Sequence, residues 1–284
     1  MNPSIIENRL TSYQILTLEQ EENALKEIAQ EIILYGLSVA GLFEEAMFQG
    51  GTALRILYKL PRFSEDMDFI LYEPDVNFKW GKYVESINEI CKEYGIMPTI
   101  TDRSKADQNI KRLFIKDNSF GKLINLNFKH HAQKNILIKL EIDVNPPLGS
   151  KKEIKYLDFP LDYTVVSQDL PSSFASKSHA LLCRTYVKGR DWYDFLWYVA
   201  QGVTPNLKLL SNAIDQIGPW AHQKITVTPE WYLSEIGNKI MTINWDKAKS
   251  DVERFLNERE ALQLKLWKPD FFLTKIEKLE SLFS

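Results

Sequence analysis

Two aspartates one residue apart, Asp66 and Asp68, enter an apolar run, and a Gly50-Gly51-Thr52 turn lies a short way upstream. In a strand, alternation sends both carboxylates to one face and Met67 and Phe69 to the other. Two carboxylates on one face repel each other unless a cation sits between them. A hard divalent ion is the natural occupant, since Mg²⁺ takes one or two carboxylates together with substrate phosphates. The turn suits the phosphates: adjacent glycines allow close backbone approach, and N–H groups at a helix start attract anions. Asp-x-Asp alone is ordinarily a solvated strand end, and Gly-Gly alone a turn. The order strand, Gly-Gly-Thr, helix, Arg62-x-Ser64-x-Asp66-x-Asp68, strand is much rarer and points to metal-assisted nucleotidyl transfer.

Such a site calls for a third carboxylate, to help hold the ion or to take a proton. The stretch from Ile136 to Val144 supplies two candidates. Ile138, Leu140, Ile142 and Val144 share one face, while Lys139, Glu141, Asp143 and Asn145 share the other. A period of two cannot separate Glu141 from Asp143, and Glu141 is favoured because it lies deeper in the strand. Farther along, Lys177 begins a helical pattern in which Leu181 and Arg184 follow, so that Lys177 can face a cleft and hold a triphosphate as a point charge. Gly189-Arg190-Asp191 sets Asp191 near the start of the next helix, where an N-cap role is as natural as a catalytic one. Asp194, one turn on, is placed to brace Lys177 or Arg184, and Trp192, Trp197 and Tyr198 read as core.

The supporting elements follow from periodicity and caps. Thr17 and Gln20 form a capping-box pattern opening a helix to about residue 37. A strand at 46–48, the helix after Gly51, and a strand to about residue 71 carry the first motif. A helix over 80–94 closes at Gly95. Residues 110–116, 122–128 and 136–144 alternate and predict antiparallel strands. One or two short strands follow Gly149, and beyond Ser172 the pattern is helical, at about 173–187, 191–201, 206–217, 229–242, 245–258 and 270–282. An α/β domain over 1–170 is therefore expected before a helical domain over 171–284, with the site in the cleft between them.

With 284 residues the chain can build a sizeable core, and its net charge of −3 carries no global signal for nucleic acid. Cys91 and Cys183 lack metal-ligand spacing, and no stretch resembles a signal peptide or a membrane span, so a reduced, cytoplasmic setting without a membrane is expected. A basic strip of Lys111, Arg112, Lys116, Lys122, Lys129, His130, His131, Lys134 and Lys139 suits either a polynucleotide backbone or an ordinary solvated sheet face. His130-His131 has no third metal ligand close in sequence.

These segments together resemble the AbiEii/MenT-type nucleotidyltransferase toxins of bacterial type IV toxin–antitoxin systems. The resemblance rests on Gly50-Gly51-Thr52 with Arg62-x-Ser64-x-Asp66-x-Asp68, on Leu140-Glu141-Ile142, and on Lys177 with Arg190-Asp191-Trp192-Tyr193-Asp194. It covers about residues 45–200. It implies an α+β, polymerase-β-like nucleotidyltransferase fold with a mixed sheet and a C-terminal helical domain. The implied activity is transfer of NMP from an NTP, dependent on Mg²⁺ or Mn²⁺, with pyrophosphate released. The implied acceptor is RNA, the 3′ end of tRNA, and the implied partner a cognate antitoxin. By this likeness Asp66, Asp68 and Glu141 would hold the metal, and Gly50, Gly51, Thr52, Arg62 and Ser64 would bind the nucleotide. Lys177 would meet the triphosphate, and Asp191 would be a further catalytic or orienting group. Glu rather than Asp at the third acidic position, with Asp143 after it, is a departure from the commoner pattern. Other readings are a nucleotidyltransferase acting on a small molecule or a protein hydroxyl, a glycosyltransferase using Asp-x-Asp, and a non-catalytic RNA-binding relic.

Overall fold

The computed structural model describes residues 3–119 and 136–283. The chain divides into two compact units, the first made of 1–59, 63–146 and 153–167 and the second of 60–62, 147–152 and 168–284. The expected strand 122–128 lies outside the described residues, as do Lys122, Lys129, His130, His131 and Lys134 of the basic strip.

The first unit is built on a mixed sheet of seven strands in the order β3-β4-β5-β2-β1-β7-β6. These are β1 (Ala46–Gln49), β2 (Asp66–Leu71), β3 (Thr99–Asp102), β4 (Ile110–Asp117), β5 (Ile136–Asp143), β6 (Lys152–Leu157) and β7 (Tyr163–Gln168). β4 pairs antiparallel with β5, as the alternating segments predict, and also with β3, for which no strand was expected, whereas β2 runs parallel to β5 and antiparallel to β1. Among the described residues four α-helices accompany the sheet: α1 (Pro3–Thr11), α2 (Leu18–Val39), α3 (Gly50–Tyr58) and α4 (Gly81–Glu93). Thr17 and Gln20 do form the capping box at the start of α2. The inward residues of α2, including Ile28, Ile32 and Ile33, join Phe48, Met67, Phe69, Leu140 and Ile142 in one buried cluster. The short α1 was not foreseen. Arg9 fastens it to α2, its Nε donating to Glu31 Oε2 at 3.0 Å, while Ile6 and Leu10 join the core.

The second unit is helical among its described residues: α5 (Leu170–Cys183), α6 (Gly189–Ala200), α7 (Leu207–Gln216), α8 (Pro229–Thr242), α9 (Trp245–Glu253), α10 (Glu258–Ala261) and α11 (Pro269–Phe283). Side-chain caps at Asp169, Asn206, Thr228, Asn244 and Asn257 start five of these, each accepting a backbone N–H and satisfying one of the donors a helix start leaves open. Trp192 packs against Phe195, Trp245 and Phe272, and Tyr198 stacks on Phe174 at 4.5 Å, so both ring systems are core as expected. Gly189 begins α6 where a Cβ would lie 1.8 Å from the Ala248 carbonyl oxygen, so the approach of α6 to α9 requires glycine there. No helix among the described residues is long and apolar enough to cross a membrane.

One clamp in the first unit positions the acidic strand. Gln30 on α2 is buried, and its Nε2 donates to the carbonyls of Ser64 at 3.1 Å and Glu65 at 2.9 Å, just before β2 begins. Replacing Gln30 with Leu keeps the bulk but removes both donors. The expected result is a loss of about 1–3 kcal/mol in stability, seen as a lower denaturant midpoint with an unchanged slope. An unaltered midpoint would show that the clamp contributes nothing.

Candidate active site

The acidic motif sits where β1, α3 and β2 meet. Asp66 and Asp68 occupy alternate, half-buried positions of β2, and Met67 between them is buried. The antiparallel register sets Gln49, the last residue of β1, opposite Asp68. The next residue, Gly50, has φ of +79°, and a Cβ there would lie 2.4 Å from Asp68 Oδ2. Glycine is therefore called for by the left-handed backbone, and a Cβ there would also force the Asp68 carboxylate to shift. Gly50 opens α3, whose first backbone amides have no partner within the helix, so a carboxylate and an anion-attracting helix start share one small region.

Thr52 has a different task from the one its sequence position suggests. Its side chain is fully buried, and its hydroxyl donates to the Asp66 carbonyl, tying the first turn of α3 to the first residue of β2. What Thr52 can offer a phosphate is its backbone. The loop before β2 is held on several sides. Arg55 lies over the Phe63 ring at 4.4 Å and donates to Glu27 at 2.7 Å, while Lys26 pairs with Glu65 at 3.3 Å. Ser64 stays half-buried in that loop, fixed through its carbonyl by Gln30.

The neighbouring strand sets where the two later acids stand relative to the motif. In the parallel pairing of β2 and β5, Asp66 lies beside Lys139, Asp68 beside Glu141, and Ile70 beside Asp143. Glu141 is thus the acid adjacent to the motif, and Asp143 accepts from the Asn145 amide at 2.9 Å where the strand ends. The Glu141 carboxylate is already engaged: Arg112 Nε donates to Oε1 at 2.7 Å, and Lys139 Nζ lies 3.0 Å from Oε2. Lys139 Nζ is also 3.5 Å from Asp66 Oδ2. Burial alone would raise the Glu141 pKa, but the hydrogen bonds and charges of Arg112 and Lys139 outweigh it and lower the pKa. Burial would likewise depress Lys139, and Glu141 with Asp66 raises it instead. Asp66, Asp68 and Glu141 therefore do not assemble a three-ligand set. Among the described residues no group of three or more His, Cys, Asp or Glu side chains could hold a metal ion. Two hard carboxylates on one strand face, beside a helix start suited to phosphate, do fit an ion that takes one or two carboxylates plus phosphate oxygens.

The second unit gathers the remaining expected residues around a buried ion network. Lys177 Nζ lies 2.7 Å from Asp191 Oδ1 and 2.8 Å from Asp194 Oδ2, so Asp194 braces the lysine as anticipated. Arg62, expected to contact the nucleotide, is instead buried at 2% exposure. Its guanidinium grips Asp194 with two parallel bonds of 2.6 Å, the planar fork meeting both carboxylate oxygens, so its charge is spent there. Arg184 approaches Asp191 at 3.0 Å. Asp191 is not an N-cap, since Lys188 holds that place and Asp191 falls within the first turn of α6. Burial would raise the Asp191 pKa, yet Lys177, Arg184 and Lys188 bring it down to about 2, and Arg62 and Lys177 lower Asp194. Burial would lower Lys177, and the two aspartates raise it. The lysine is therefore a fixed ammonium, charged throughout the neutral range.

Among the described residues the basic strip does not form one surface. Alternation on β4 sends Lys111 and Arg112 to opposite faces, and Lys111 is buried with Nζ on the carbonyls of Lys105 and Ala106. Arg112 and Lys139 serve Glu141, and of the described members only Lys116 is exposed.

Comparison with known proteins gives the same assignment. The family described as "Nucleotidyl transferase AbiEii toxin, Type IV TA system" matches residues 32–274. The chain belongs to this family of nucleotidyltransferase toxins. Among solved structures it is similar to MenT4, a nucleotidyltransferase toxin of Mycobacterium tuberculosis, with a TM-score of 0.50 and 15% identity over 100% of this chain and 89% of that one. It is also similar to JHP933 of Helicobacter pylori, with a TM-score of 0.49 and 17% identity over 93% of this chain and 90% of that one. Among curated proteins, none matches the chain. The mixed sheet with its helices is an α+β nucleotidyltransferase fold.

Because the Asp191 pKa falls to about 2 in the folded chain from an ordinary 3.8, its stabilising effect is complete above the ordinary value and is lost as pH drops through the folded one. Stability measured from about pH 5 down to about pH 2 should therefore fall less steeply in Asp191→Asn than in the unaltered chain. Equal slopes would remove Asp191 from the network.

Proposed function

We propose that the chain transfers NMP from an NTP to an acceptor hydroxyl, the 3′ end of a tRNA, as the toxin of a toxin–antitoxin pair acting in the cytoplasm. The observation that supports this reading is the closeness of the Asp68 carboxylate to Gly50, which sets a group fit to hold a metal beside the anion-attracting start of α3. Membership of the AbiEii family supports the reaction class. Asp66 and Asp68 would hold Mg²⁺, or Mn²⁺ in its place. A bound ion supplies charge neutralisation of the triphosphate and polarisation of the phosphoryl oxygens.

The remaining work falls to the chain. The backbone amides of Gly50, Gly51 and Thr52 meet phosphate oxygens, with Ser64 near the entry to β2. Lys177, held by Asp191 and Asp194, supplies a fixed positive charge to the triphosphate, so Asp191 acts by orienting it. The acceptor oxygen forms a new bond to the α-phosphorus, the bond from that phosphorus to the bridging oxygen breaks, and pyrophosphate leaves with its electron pair while the hydroxyl proton passes to solvent. Positioning and charge neutralisation carry most of such a reaction, because the protein has little covalent chemistry to perform. Loss of a single phosphate donor should cost about 3 kcal/mol at most.

The test is incubation with each labelled NTP in turn, Mg²⁺ and total cellular RNA. Label should enter the tRNA fraction, and Asp66→Ala or Asp68→Ala should reduce incorporation by several powers of ten while the circular dichroism spectrum is kept. Full activity in either folded variant overturns the role of the aspartates, and label entering protein or small molecules redirects the acceptor.

A further inference from the structure

Lys139 is a charged group set directly beside the acidic motif. Three strands set its surroundings. Across β4, β5 and β2 one row of facing residues is Arg112, Glu141 and Asp68, and the next is Phe114, Lys139 and Asp66. Neighbouring strands stand about 4.8 Å apart, so these rows place the Lys139 ammonium among the carboxylates and not outside them. Its Nζ lies 3.0 Å from Glu141 and 3.5 Å from Asp66, with the side chain 27% exposed. Arg112 closes the other side of Glu141 at 2.7 Å. A carboxylate bonded by two cations has little basicity left for a third.

We infer that Lys139 is a positioning residue that serves as a built-in cation of the site: it takes the place beside Asp66 and Glu141 that a second metal ion would fill, and Glu141 is its counter-ion and not a metal ligand. The site then takes one divalent ion, on Asp66 and Asp68. A tethered ammonium is always present, so the charge it supplies does not vary with the metal concentration, and it holds Asp66 in place before the ion arrives. The inference rests on the reading that Asp66 and Asp68 bind a divalent cation.

Mn²⁺ titrated into the full-length chain, with free ion followed by electron paramagnetic resonance, separates the two claims. The unaltered chain should take one Mn²⁺. Lys139→Met removes a cation roughly 5 Å from the ion and should tighten binding about tenfold, and Glu141→Gln should weaken it by a similar factor. The double variant Lys139→Met/Glu141→Gln leaves the local charge unchanged and should return to within about threefold of the unaltered chain. Lys139→Arg, which keeps the charge with little risk to folding, should also stay within about threefold. A double variant that binds as weakly as Glu141→Gln alone makes Glu141 a ligand and overturns the inference while leaving the aspartate site standing. A second tightly held Mn²⁺ in the unaltered chain, or weaker binding in Lys139→Met, overturns it as well. If Asp68→Asn does not change Mn²⁺ binding, the metal reading falls, and the role of Lys139 falls with it.

Discussion

The parallel pairing of β2 with β5 is the constraint on which the acidic face depends. Within this register Asp68 meets Glu141 and Asp66 meets Lys139, while Met67 and Leu140 turn into the core. A slip of one residue would bury the charges and expose the apolar set, so core burial and charge placement enforce the same alignment. Parallel strands cannot be joined by a tight turn, and here α4, β3 and β4 all intervene between β2 and β5. The acidic face therefore forms only when most of the first unit has folded. The tie from Thr52 to the Asp66 carbonyl, and the Gln30 clamp on the loop before it, fix the same strand from the α3 and α2 sides.

Both units use one electrostatic device. In the first, Lys139 is shared by Asp66 and Glu141; in the second, Lys177 is shared by Asp191 and Asp194. A lysine between two carboxylates keeps its proton even when burial favours the neutral amine, and each carboxylate keeps its charge in return. The surroundings differ. Lys139 is partly open to solvent, where ion pairing is screened, whereas Lys177 is half-buried on two buried aspartates that Arg62 and Arg184 further hold. Removing one member of the buried set strands the others without water to compensate, so that network behaves as a unit and not as separate pairs.

Much of this was legible from the chain alone, and the limits follow from what periodicity can express. Alternation over residues 136–144 correctly separates Ile138, Leu140 and Ile142 from Lys139, Glu141 and Asp143, because a strand repeats every two residues. The helical pattern beyond about residue 170 is read from the change of period, whereas the mixed sheet is implied only by the family resemblance. Alternation says nothing about which strand lies beside which. The register that favours Glu141 over Asp143, and that sets Lys139 against Asp66, belongs to the folded sheet. The Lys-x-Glu spacing on one face was the available signal, and it reads equally well as a solvated surface pair. Arg62 shows the same limit over a longer span: its partner Asp194 is 132 residues away, and proximity in sequence to Ser64 and Asp66 suggests a phosphate contact that the buried pair does not make. Thr52 was placed correctly at the turn, but the direction of its hydroxyl depends on where the β2 backbone passes.

The left-handed backbone that disfavours a side chain at Gly50 has a consequence for inheritance. Every missense change in a glycine codon adds a Cβ, so each amino-acid replacement reachable at this position drives an atom toward Asp68 and meets a backbone angle that side chains rarely adopt. Drift at this codon is therefore opposed by the geometry of the fold itself, whatever the rest of the chain tolerates.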